Sequence, residues 1–291
     1  MAVLSIQSHV VYGYAGNTAA VFPLQRLGRE VWAVNTVEFS NHTGYGSFRG
    51  KVLGAELVSD LVSGIEERGV LKNCDAVLSG YLGDAAVGRA IIETVKKVKK
   101  ENPNAVFCCD PVMGDSGRGF YVKPGIPEMF KNELIPLAGI TCPNQFEIEY
   151  LTGVSIKNVN DAIKAVNILH EMGPSVVLLT SFREKKGELG MIASKNTADG
   201  NIAYKIVTPE LPLGDGVAGT GDMTAAVFLS HFLKTFNLEK TLGKTASSVY
   251  SILEESYNIS LDENIPLELK IIKAQEQLIS PLRIFKAEKI S

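Results

Sequence analysis

Cysteine, excess charge and long apolar runs are all scarce in this chain. The four cysteines, Cys74, Cys108, Cys109 and Cys142, form no Cys-x-x-Cys pair and stand in no zinc-type spacing with histidine. Nothing about them asks for structural zinc or a disulfide framework. Three lie in or beside apolar segments that read as buried strands, where a free thiol behaves as a small hydrophobe. Basic residues number 29 against 32 acidic ones, a net charge of -3, which argues against a broad basic surface for nucleic acid. Any anion binding must then be local. No apolar run approaches the roughly 18 residues that would span a bilayer. The opening Met-Ala-Val-Leu-Ser-Ile-Gln lacks the basic-then-apolar pattern of a secretory signal and reads as a first strand. The expectation is a cytoplasmic protein with neither membrane nor nucleic-acid partners. Repeats, low-complexity tracts and Pro/Ser-rich linkers are missing as well, so residues 1–291 are expected to form a single domain.

What is present is an alternation. Short runs of branched apolar residues recur at 2–6, 31–34, 76–78, 105–109, 139–142 and 176–179, each too short for a good helix and suited to a strand covered on both faces. Longer amphipathic stretches separate most of them, at 17–27, 55–68, 85–100 and 159–172. In the third, Val87, Ile91, Val95 and Val98 share a face, leaving Lys96, Lys97, Lys99 and Lys100 to water. This pattern predicts an α/β fold with a mostly parallel central sheet, helices on both faces, and ligands beyond the carboxyl ends of the strands. Residues 190–194 and 203–207 flank a polar turn and predict a small antiparallel hairpin at the sheet edge. Helices are predicted over 219–232, 238–257 and 266–279.

The densest chemistry sits at Gly219-Thr220-Gly221-Asp222, which leads into the apolar helix starting Ala225-Ala226-Val227. Two glycines at a loop-to-helix junction let backbone approach a ligand, and the free N–H groups of a first helical turn attract anions. Such donors stabilise the oxygens of a transferring phosphoryl group, and a carboxylate at the same place, Asp222, accepts the proton of an attacking hydroxyl. Asp110 and Asp115, in Asp110-Pro111-Val112-Met113-Gly114-Asp115, follow an apolar strand and are candidates to hold Mg²⁺ directly or through water. Pro143-Asn144-Gln145-Phe146-Glu147 offers Asn144 and Glu147 near the same edge, although the same spacing also makes a helix capping box. Ser8-His9-Val10 and Phe39-Ser40-Asn41-His42-Thr43-Gly44-Tyr45 add hydroxyl, imidazole and aromatic groups, and Tyr81 adds another aromatic wall. The mixture suits a flat, polar heteroaromatic ring better than a sugar. No catalytic role is assigned to His9 or His42.

These motifs together resemble the pyridoxal kinases of the ribokinase-like superfamily, over nearly the whole chain. The glycine-rich Gly219 motif is common to the superfamily, whereas the Ser8 and Thr43 loops are specific to this group. The resemblance implies transfer of the ATP γ-phosphate to the hydroxymethyl group of pyridoxal, pyridoxine or pyridoxamine. Ser8 and Thr43 would bind the ring's polar substituents, with Val37, Phe39 and Tyr81 around it. Asp110, Asn144, Glu147, Thr180, Ser181 and Thr220 would face ATP, with Asp110, Asp115 and Glu147 toward Mg²⁺. Gly219, Thr220 and Gly221 would form the anion hole, and Asp222 would be the base. Residues 115–121 match a mobile flap over the nucleotide. Family members are typically homodimers and use a monovalent cation, K⁺ or Na⁺. Cys142 departs from the threonine or other small residue of many relatives near that ion, and Ala218 from a bulkier residue in some. Two other readings remain: a hydroxymethylpyrimidine kinase, in which cysteine often stands where this chain has Asp222, and a non-catalytic vitamin B6-binding protein.

Overall fold

The computed structural model describes residues 1–214 and 217–291. The first strand, β1 (Ala2–Tyr12), runs into helix α1 (Asn17–Arg26), and the chain returns through β2 (Glu30–Asn41) beside β1. A short β3 (Gly50–Val52) folds back antiparallel on β2 before α2 (Gly54–Glu67). Two further crossovers follow: β4 (Cys74–Ser79) with α3 (Ala85–Glu101), then β5 (Val106–Cys109). After β5 the chain forms a tiny hairpin, β6 (Gly114–Asp115) and β7 (Gly119–Phe120), outside the main sheet, then the single turn α4 (Ile126–Met129). Next come β8 (Ile140–Thr141), α5 (Gln145–Thr152), α6 (Val159–Met172) and β9 (Val176–Phe182). The long hairpin of β10 (Glu188–Thr197) and β11 (Gly200–Pro209) precedes α7 (Thr220–Thr235), α8 (Leu238–Asp262) and a final short β12 (Glu288–Lys289).

Ten strands lie in the order β12-β11-β10-β9-β8-β5-β4-β1-β2-β3. The six from β9 to β2 are parallel, while β10, β11 and β12 at one end and β3 at the other are antiparallel. The fold class read from the sequence is therefore the one observed, including the hairpin. Strand alternation builds two apolar layers: Leu4, Ile6, Phe107, Cys109, Val177 and Leu179 face α2, α3, α5 and α6, while Val3, Cys108, Val176 and Leu178 face α1, α7 and α8. Buried almost all round, α7 lies between the sheet, α1 and α8, as the unbroken apolar run from Ala225 to Leu229 requires.

One predicted element is absent. Residues 266–279 form no α-helix; they make a strap of irregular chain and turns that ends in a short 3₁₀ turn at Gln275–Leu278. Tertiary partners outcompete the helical ones there: the Lys270 N–H is taken by Ser256 Oγ at 2.9 Å, and Leu269 and Ile271 are buried against α7 and α8. The small strands β3, β6, β7 and β12 were not foreseen either.

Candidate active site

Every parallel strand ends at the same rim of the sheet. Ser8 lies near the end of β1, Phe39 near that of β2, Tyr81 just past β4, Asp110 just past β5, Asn144 just past β8, and Thr180 and Ser181 near the end of β9. The β1–α1 turn and the first turn of α7 close the rim.

The start of α7 depends on one glycine. Gly219 has φ of 82°, in the left-handed region, and a β-carbon there would lie 2.4 Å from the Tyr14 carbonyl oxygen. Only glycine lets α7 begin this close to the β1–α1 turn. From that start Asp222 falls in the first helical turn, where its Oδ2 accepts the Gly16 N–H at 2.8 Å. Burial pushes the Asp222 carboxyl above the usual range, opposed by the N–H groups of Gly16 and of Asp222 itself. Thr220 turns its hydroxyl to the Val217 carbonyl at 2.8 Å. Gly221 is exposed, and a β-carbon built on it would lie 4.0 Å from Asp110 Oδ2, which puts that carboxylate beside the helix start.

Asp110 is 4% exposed, and no group among the described residues donates to its carboxylate. Burial, then the charges of Glu147 and Asp222, push its pKa well above the ordinary value. Glu147, 3% exposed, is the third helical residue of α5 and completes a capping box with Asn144. Its Oε2 accepts the Asn144 N–H at 2.8 Å and its Oε1 the Met113 N–H at 3.0 Å, while Asn144 Nδ2 donates to the Gly114 carbonyl at 2.8 Å. Burial pushes the Glu147 carboxyl up to about 8, against the pull of those N–H groups. Thus Asn144 and Glu147 do form the cap that their spacing also allowed, and they tie β8 to the segment after β5. Thr180 anchors the same corner, its N–H donating to the Pro143 carbonyl at 2.9 Å.

Asp115 is engaged within its own loop. It accepts the N–H groups of Gly117 and Arg118 at 3.0 and 2.9 Å and pairs with the Arg118 guanidinium at 2.6 Å. Among the described residues no group of three or more His, Cys, Asp or Glu side chains gathers as a metal cluster.

A cavity of about 130 Å³ opens beside Asp222. Ser8, Thr43, Val37, Phe39, Tyr81, Gly219 and Asp222 line it, so the structure brings the expected ring-binding residues and the proposed base onto one space. Ala218 is there too, as are Val10 and His42 from the two loops assigned to the ring, and so are Arg118 and Tyr121, which the sequence reading did not place in the pocket. Arg118 and Tyr121 arrive on the loop at 115–121: the guanidinium lies 5.2 Å from the Tyr121 ring centroid, and Phe120 packs edge-on against Phe146 and Tyr150 at 5.0 and 5.1 Å. Burial and then the charges of Glu147, Asp222, Asp110 and Asp115 raise the Tyr121 phenol well above its ordinary value. The loop therefore brings two side chains to the cavity wall; the family resemblance implied a mobile flap here, but nothing in the sequence said where its side chains would land.

A family model for phosphomethylpyrimidine kinase matches residues 62–267. The chain is 50% identical over 293 residues to a pyridoxal kinase of Rubrobacter xylanophilus, covering 99% of this chain and 97% of that one. To the pyridoxal kinase of Deinococcus radiodurans it is 42% identical, covering 99% and 96%. Among solved structures, pyridoxal kinase from Leishmania donovani in complex with ADP and pyridoxamine superposes with a TM-score of 0.93 at 32% identity, covering 100% of this chain and 99% of the other. A Plasmodium falciparum enzyme with AMP-PNP and PL gives 0.86 at 26% identity, again over 100% and 99%. With a shared fold and this identity over nearly its whole length, the chain belongs to the pyridoxal kinase family.

Proposed function

We propose that the chain, acting as one kinase domain over residues 1–291, transfers the γ-phosphoryl group of ATP to the 5′-hydroxymethyl oxygen of pyridoxal, and also of pyridoxine and pyridoxamine. The observation that carries this reading is the sharing of one cavity by Asp222, Ser8 and Thr43. Ser8 and Thr43 offer hydroxyl groups to the polar edge of the ring, and Val37, Phe39 and Tyr81 cover its faces. The hydroxymethyl oxygen then lies toward the first turn of α7. As it attacks the γ-phosphorus, its proton passes to the Asp222 carboxylate, the new P–O bond forms, and ADP leaves with the electrons of the broken bond. N–H groups at Gly219 and Gly221 would stabilise charge on the phosphoryl oxygens, and that of Thr220 would join them on leaving the Val217 carbonyl, to which it donates at 3.3 Å.

The carboxylates fit Mg²⁺ in part. Asp110, nearly buried and without a donor, is suited to hold it, and Glu147 to do so through water, because Mg²⁺ commonly keeps several waters alongside phosphate oxygens. Asp115 joins them only if Arg118 lets go. Bound there, the ion supplies positive charge against the phosphates. The nucleotide would lie along Asn144, Thr180, Ser181 and Thr220. A monovalent cation, K⁺ or Na⁺, would have to use backbone carbonyls at Cys142, whose sulfur lies 3.9 Å from Cys108 Sγ in the apolar layer. Closure of the loop at 115–121 would exclude water and limit wasteful ATP hydrolysis. A homodimer in the cytoplasm completes the reading, testable by sedimentation of the purified chain.

The family model is described as a phosphomethylpyrimidine kinase, which keeps a pyrimidine substrate in view, and the second reading is a kinase of hydroxymethylpyrimidine, whose alcohol is also borne on a small aromatic ring. Comparing kcat/KM for pyridoxal and hydroxymethylpyrimidine separates the two. Pyridoxal is expected to win; a preference for the pyrimidine of about tenfold, worth about 1.4 kcal/mol, would overturn the assignment. Binding without turnover of any vitamer would leave only a vitamin-binding protein.

A further inference from the structure

Glu268 lies in the strap after α8, 226 residues from His42, and is 5% exposed. Its Oε1 accepts two hydrogen bonds from the Thr43 loop, from His42 Nε2 at 2.9 Å and from the Tyr45 hydroxyl at 2.5 Å. Burial pushes its carboxyl up, but those two bonds pull it down further, and its pKa lies below the ordinary value. A carboxylate has no proton to give, so His42 carries its hydrogen on Nε2. Nδ1 then faces Gly44, which lines the cavity, at 2.9 Å from where a β-carbon there would be.

The other oxygen, Oε2, is buried and has no partner among the described residues. It sits against the β1–α1 turn, 3.0 Å from where a β-carbon on Gly13 would be, and Gly13 has φ of 83°. Three residues further along that turn, Gly16 holds Asp222. One buried carboxylate therefore touches both the loop that carries Thr43 and the turn that carries the partner of the base. Packing alone does not call for it: Leu269 and Ile271 already anchor the strap, and a buried charge is costly unless its partners serve some purpose.

We propose that Glu268 is a positioning residue for phosphoryl transfer, holding His42 and the Thr43 loop against the β1–α1 turn so that the ring-binding groups face the base. It acts on acceptor binding through His42 and Tyr45 and touches neither substrate. The inference rests on the pyridoxal kinase reading. A wild-type chain that phosphorylates no B6 vitamer would end that reading, whereas an active chain indifferent to Glu268 would end only this one.

The test is steady-state kinetics of the full chain with pyridoxal and ATP, varied independently, for Glu268→Ala, Glu268→Gln, His42→Ala and the Glu268→Ala/His42→Ala pair. In Glu268→Ala the KM for pyridoxal is expected to rise about tenfold or more, the size of a lost hydrogen bond to a charged group, while the KM for ATP stays within about twofold. The double variant should lose less than the product of its two single losses, because one residue works through the other. Equal changes in both KM values, an unmoved pyridoxal KM, or fully multiplicative losses would overturn the proposal. If the alanine variant fails to fold, Glu268→Gln decides, since it keeps the shape and an acceptor oxygen without the charge. A rise of about threefold or more confined to the pyridoxal KM supports the role, and any smaller or shared change refutes it.

Discussion

Replacing Asp222 by asparagine separates its chemistry from its packing. Asparagine keeps an oxygen where Oδ2 accepts the Gly16 N–H at 2.8 Å, so the β1–α1 turn and the start of α7 should hold their places. What disappears is the group that takes the proton. Loss of a general base slows turnover by about 10² to 10⁴, or about 2.7 to 5.5 kcal/mol of barrier, and kcat is expected to fall in that range. Stability should move the other way. Burial raises the folded pKa of Asp222, so the native state holds its proton more tightly than the unfolded chain does. The stability supplied by that proton is full below the ordinary carboxylate pKa and is lost as pH rises through the raised folded value. At neutral pH the ionised side chain is therefore a cost, which asparagine removes. Tm by scanning calorimetry should stay level or rise while ADP affinity is kept. The same shift predicts that wild-type kcat declines as pH falls through the raised Asp222 pKa. Near-normal turnover in Asp222→Asn would refute the role of base, and a parallel collapse of Tm and activity would refute the separation of chemistry from packing.

Gly219→Ala should damage the site by backbone strain: the added carbon would lie 2.4 Å from the Tyr14 carbonyl oxygen at φ of 82°. A loss of about 1 to 3 kcal/mol in stability is expected, with a fall in kcat larger than any change in pyridoxal KM; unaltered melting and turnover would show that the turn does not need glycine. Nucleotide binding with Mg²⁺ should release protons. Asp110 and Glu147 have raised pKa values, that of Glu147 about 8, and a cation beside them favours their ionised forms. Calorimetric titrations at pH 7 in buffers of different ionisation enthalpy measure that release, and its absence would argue against these carboxylates as the ion's neighbours.

Much of the site was legible because its residues lie at the ends of strands that the apolar pattern had already located. Ser8, Asp110, Asn144 and Thr180 each follow or end such a run, and a parallel sheet sends all those ends to one rim. Gly219 and Asp222 were legible for a local reason, a glycine turn opening an apolar helix. His42 was legible as part of a ring-binding loop but not as the partner of Glu268, since an isolated histidine has no pattern to say where its ring points. Arg118 and Tyr121 were hidden in the same way: they ride on a loop whose small hairpin has only two residues in each strand, too few for any periodicity.

The strap at 266–279 shows the limit most clearly. Its apolar spacing fits a helix, but Ser256 takes a backbone N–H and the α7 and α8 surfaces take its apolar side chains, and neither partner is near in sequence. By itself the sequence determined the main strands, the main helices and the glycine-rich start of α7, because these follow from patterns within a few residues, and their alternation implied a parallel sheet. Only the tertiary structure decided that Glu268 reaches His42, that Asp222 accepts the Gly16 N–H and that Glu147 also takes the Met113 N–H. Each of those is a choice among competing polar partners, and it is settled only when the whole chain has brought the candidates within hydrogen-bonding distance.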